Sequence, residues 1–104
     1  ISDIFTNYYF ENLIEISKYS KKYEAKLILV NQVISRKHWL NNYLSKINFL
    51  TMNFCKINKI YCINLEDKNL LLNENHFYDG IHTTPEGSKI IGEFIADKFN
   101  KIDD

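Results

Sequence analysis

"AKLILVNQVISRKHWLNNYLSKINFLTMNFCKINKIYCINL", residues Ala25 to Leu65, decides the fold. It begins with "KLILV", Lys26 to Val30, a short unbroken apolar run rich in branched side chains, as in a parallel strand covered on both faces. From about His38 to Lys56 the positions Leu40, Tyr43, Ile47, Leu50 and Phe54 recur at three and four, the spacing of an amphipathic helix. "IYCINL", Ile60 to Leu65, is then a second buried strand.

The flanks extend the alternation. Before the first strand, Tyr9, Leu13, Ile16 and Tyr23 recur at helical spacing and predict a helix over about Thr6 to Tyr23. After the second strand, a polar stretch from Glu66 to His76 leads into a last helix over about Pro85 to Lys101. Thr84 can cap that helix with its hydroxyl, Pro85 suits the first helical position, and Glu86 meets the positive end of the dipole. Ile91, Phe94, Ile95 and Ile102 form its expected buried stripe, and Gly92 in the middle implies close packing or simple tolerance. Helix, strand, helix, strand, loop, helix is the order of a layered α/β fold with parallel strands. Two strands are too few for such a sheet, so further strands are expected from a preceding segment or a partner.

Bulk properties narrow the function classes. The chain of 104 residues is 45% hydrophobic and 14% aromatic, enough apolar material for a core, and is read as a single domain segment over residues 1–104. Thirteen basic residues balance thirteen acidic ones, which disfavours a nucleic-acid partner. No apolar run approaches the roughly 20 residues of a membrane span. Cys55 and Cys62 are not spaced as a CxxC and are expected as two buried thiols, which favours a reduced, cytoplasmic setting. The chain starts without Met, so an upstream leader stays open. The aromatic residues Tyr8, Tyr9, Phe10 and Trp39 are read as core or helix-interface rim.

Chemistry concentrates just before the last helix. Asp79 and His82 stand three apart, and a tight turn there can fold the carboxylate onto the imidazole. Such a bond selects the tautomer, holds the ring, and leaves the other nitrogen free to take a proton. Gly80 between them can adopt backbone angles that such a turn needs. In an open parallel sheet, sites collect in the loops leaving the carboxyl ends of the strands, where the loop after Leu65 is expected. Two other readings compete. His76, Asp79 and His82 form H-x-x-D-x-x-H, a possible metal site, with His76 otherwise an exposed loop residue and His38 a residue near a helix start. Alternatively, the chain is a non-catalytic α/β binding module or remnant that keeps the loop for its shape.

The run "DGIHTTPEGSKIIGEFIA" resembles the last block of the SGNH hydrolases, also called GDSL esterases and lipases, with Asp79, His82, Thr83 or Thr84, and Gly87 on the positions of its motif. "ENLIEISKYSKKYEAKLILVNQV" and "NNYLSKINFLTMNFCKINKIYCINLED" look like helix–strand pairs of the same family, so the resemblance covers nearly the whole chain but only the C-terminal half of the family's domain. It implies a three-layer flavodoxin-like fold and a Ser–His–Asp site for an ester of a small acyl group, a glycan or a lipid. His82 would be the base and then the acid, Asp79 its orienting partner, and no cofactor is implied. None of the serines follows Gly-Asp, so the nucleophile would come from a preceding segment or a partner chain, and this chain alone should not turn over esters. "ISD", Ile1 to Asp3, aligns with the family's Gly-x-Asn-Asp block, with Ser2 where the oxyanion Asn usually sits.

Overall fold

The computed structural model describes residues 3–102. The order of elements follows the hydrophobic pattern: α1 (Asp3–Lys22), β1 (Ile28–Val30), α2 (Asn41–Asn58), β2 (Tyr61–Ile63), a 3-10 turn (Glu74–His76) and α3 (Pro85–Asn100). β1 and β2 pair in parallel, with Ile28 opposite Tyr61, Leu29 opposite Cys62 and Val30 opposite Ile63. α2 is the crossover between them and packs on β2, while α3 packs against β2 and the 3-10 turn.

The strands are shorter than the apolar runs that announce them: β1 starts at Ile28 rather than Lys26, and β2 spans only Tyr61–Ile63, with side-chain bonds joining the chain just past the strand ends. Asn31 lies just past β1, and its amide donates to the Ile63 carbonyl at 3.3 Å. Its side chain donates to Asn64 Oδ1 at 2.8 Å and accepts from the Leu65 amide at 2.6 Å. One buried amide thus ties the two strand ends together with its polar atoms paired. Asn48, buried on α2, clamps the next residue: it donates to the Gln32 carbonyl at 2.6 Å and accepts from the Gln32 amide at 3.4 Å. α1 reaches α2 through the Tyr9 hydroxyl, 2.7 Å from Oγ1 of buried Thr51.

The hydrophobic core is small: Leu13, Ile34, Ile47, Cys55, Ile63 and Leu65. Several expectations of burial fail for that reason. Ile16 and Tyr23 are exposed, and Tyr23 lies beyond the end of α1. Val30 is 42% exposed, so β1 is not covered on both faces. Ile91, Phe94 and Ile95 are half-buried rather than buried. Of the aromatic residues, Tyr9 and Phe10 are half-buried, but Tyr8 and Trp39 face solvent. The expectation of two thiols is corrected as well. Cys55 at the end of α2 and Cys62 in β2 form a disulfide, with Cα atoms 6.1 Å apart. The tight return of the chain through Lys59, in the left-handed region at φ 55°, brings the cysteines within reach. The basis for a reduced compartment falls with the thiols. No helix among the described residues is long and apolar enough to cross a membrane.

Candidate functional site

The loop that holds Asp79 and His82 is built in three steps. Asn73 first caps the 3-10 turn: its side chain accepts from the Asn75 amide at 2.9 Å, while its own amide donates to His76 Nδ1 at 3.0 Å. The chain then doubles back. Phe77 and Thr83 form an antiparallel bridge, and the Tyr78 amide donates to the His82 carbonyl at 2.8 Å. Gly80 makes the reversal at φ 85°, in the left-handed region. Finally α3 starts. Thr84 Oγ1 accepts from the Gly87 amide at 3.1 Å, and the Thr84 amide donates to the His76 carbonyl at 2.9 Å. Gly87 has a steric reason: a Cβ there would lie 2.6 Å from the His76 carbonyl oxygen. Any other residue would push the first turn of α3 off the loop.

Within this frame Asp79 grips the turn with both oxygens. Oδ1 accepts from the Ile81 amide at 2.9 Å and the His82 amide at 2.7 Å, and Oδ2 meets His82 Nδ1 at 2.6 Å. These contacts, led by the His82 amide and then its ring, hold the Asp79 carboxyl well below the usual carboxylate range. An ionised Asp79 can only accept, so Nδ1 of His82 carries the shared proton and Nε2 is the acceptor nitrogen of the neutral ring. The side chains are open to solvent, at 53% for Asp79 and 75% for His82.

The loop after β1 stands beside the turn. The Ser35 amide donates to the Gly80 carbonyl at 2.8 Å, and the His38 ring lies so close that a Cβ on Gly80 would sit 2.9 Å from its Cδ2. Between this loop and the one after β2 opens a cavity of about 390 Å³, walled by Ile34, Leu65, Leu72 and Phe77, with Arg36 and Glu74 among its charged groups. Phe77 places that wall two residues from Asp79.

Of the residues singled out by sequence, Asp79 and His82 are brought together and His76 is not. His76 is 9% exposed instead of an open loop residue, and its Nδ1 is occupied by the Asn73 amide. Among the described residues no three His, Cys, Asp or Glu side chains are grouped to hold a metal, which sets the H-x-x-D-x-x-H reading aside. Ile1 and Ser2 lie outside the described residues, as does the side chain of Asp3, so the alignment of "ISD" does too. Ser35 and Glu74 escape a sequence reading, since single polar residues in loops carry no periodicity or spacing signal.

No family model matches the chain, and no curated protein does. Solved structures do. A GDSL-like lipase from Bacteroides thetaiotaomicron superposes with a TM-score of 0.72 at 23% identity, over 91% of this chain and 52% of that one. A protein provisionally classed as an acylhydrolase, from Bacteroides fragilis, gives 0.69 at 22% identity, over 88% of this chain and 50% of that one. The fold is half of a GDSL-like hydrolase fold. The chain spans about half the length of these solved relatives, and the α/β order with parallel strands is compatible with part of a flavodoxin-like sheet.

Proposed function

We propose that the intact protein is an ester hydrolase or acyl transferase of the SGNH type, and that these residues form the half of its domain that carries the base. The observation that supports this most is the 2.6 Å contact between Asp79 and His82 Nδ1, in the loop that follows β2. His82 Nε2 would take the proton of a seryl hydroxyl as its oxygen attacks the ester carbonyl. The same proton would pass to the departing alcohol as the acyl–enzyme forms. Water, or a second alcohol, would then attack the acyl–enzyme, giving its proton to His82 Nε2, which would pass it to the serine oxygen as the acyl–serine bond breaks. Asp79 would hold the ring and stabilise the imidazolium between the transfers.

The serine and the oxyanion donors would come from the segment preceding this chain in the same protein, which would complete a three-layer flavodoxin-like domain. Among the described residues the sheet has two strands and the outer edge of β1 pairs with none, which supports that occupant, and so does the surface. An accessible area of 7683 Å² exceeds the roughly 6,100 Å² expected for a compact chain of this length. The cavity beside Phe77 has room for a small acyl group.

Fluorophosphonate labelling of the intact protein, followed by location of the modified serine, tests the reading. A label on a serine preceding this chain is the expected result; its absence would point to a non-catalytic module. His82→Ala should abolish ester hydrolysis with the fold kept. Asp79→Asn should lower the rate on the order of 10⁴-fold, by analogy with serine-protease triads.

A further inference from the structure

We propose that Ser35 is a positioning residue for the Asp79–His82 pair, pinning the site loop at two points so that the pair stands at a fixed place beside the strand ends. This rests on the reading of that pair as catalytic. The bonds of Asp79 to the Ile81 amide and to the amide and ring of His82 all lie inside the turn. They set the carboxylate against the imidazole but do not set where the turn stands relative to the sheet. A side chain that is three-quarters exposed receives little help from packing.

Ser35 supplies that placement. It is 2% exposed, and its amide donates to the Gly80 carbonyl at 2.8 Å, the middle of the turn. Its hydroxyl donates to the carboxylate of Glu74, the first residue of the 3-10 turn that leads into the loop. One residue therefore holds the loop at its start and at its tip. The hydroxyl also accepts from the Lys37 amide at 3.2 Å, and the Ser35 carbonyl accepts from the His38 amide at 3.0 Å. These bonds curl residues 35–38 so that the His38 ring covers Gly80. His38 is itself held, because its Nδ1 accepts from the Leu40 amide at 3.1 Å. Beyond the strand end, Asn48 clamps Gln32. The tether thus runs from α2 and β1 to the turn through short, part-buried steps. Catalytic geometry tolerates little error, since a misplacement of about 1 Å can lower a rate about 10²-fold.

The test compares Ser35→Ala, Glu74→Ala and Glu74→Gln in the intact protein, with p-nitrophenyl acetate as the ester and amide hydrogen exchange as a readout free of activity. Ser35→Ala and Glu74→Ala should lower kcat about 10- to 100-fold, with KM within about 2-fold, and speed exchange at the residue-35 amide. Glu74→Gln keeps an acceptor oxygen and should stay near the parent. The depression of Asp79 should persist in Ser35→Ala, because its partners are local to the turn. Glu74 is exposed, so its variants decide the matter even if Ser35→Ala does not fold. Two failures stay distinct. A wild-type protein that takes no fluorophosphonate overturns the hydrolase reading and this role with it. A labelled wild type whose folded variants keep kcat and residue-35 protection overturns the role of Ser35 and Glu74 alone.

Discussion

Asp79 does two jobs with one carboxylate, and both depend on charge. Two backbone N–H groups and the ring of His82 converge on it, so protonation would weaken three contacts at once. Its folded-state value lies below its unfolded one, so the sign of the linkage follows directly. The turn's contribution to stability is fully present above about pH 3.9, the unfolded value, and is lost only as pH falls through the lower folded value. A ¹³C NMR titration should find the Asp79 carboxyl still ionised at about pH 3, where ordinary aspartates are mostly protonated. An ordinary midpoint would show that the turn does not persist in solution. The geometry also separates two glycines. Gly80 combines a left-handed φ with a ring against its α-carbon, and Gly87 faces a carbonyl oxygen. Neither position has room for a methyl group.

At the level of elements, α3 combines a strong start with a weak middle. Thr84, Pro85 and Glu86 specify its first turn, and the cap bond to Gly87 is made. Gly92 is solvent-exposed, and a Cβ there would meet nothing within 4 Å. Of the two readings of that glycine, tolerance holds. Gly92→Ala should therefore raise stability by about 0.5 to 1 kcal/mol in denaturant unfolding, through helix propensity and a less flexible unfolded chain. The hinge between α2 and β2 is a different case. The Cys55–Cys62 disulfide closes a short loop, with a sequence separation of 7, and restricts the unfolded chain. Replacing both cysteines with serine should cost about 2 to 3 kcal/mol. Thiol titration of the unfolded protein without reductant should find neither cysteine free.

For the whole molecule, the core is small and, among the described residues, the outer edge of β1 has no strand partner, so on the proposed reading a preceding segment covers both. Expressed alone, residues 1–104 should bind a hydrophobic dye such as ANS and unfold at low denaturant, whereas the intact protein should do neither. A dye-silent, cooperative fragment would argue against a missing half. Sequence alone determined the order of the elements, the start of α3 and the pairing partners Asp79 and His82, because each is local: a period of 3.6, a cap, a three-residue step. Tertiary structure decided what depends on residues distant in the chain. It buried His76 under α3, joined Cys55 to Cys62, closed the strand ends with Asn31 and Asn48, and set Ser35 against Gly80. Those outcomes rest on single polar or sulfur atoms meeting across loops, and such meetings leave no periodic trace in a sequence.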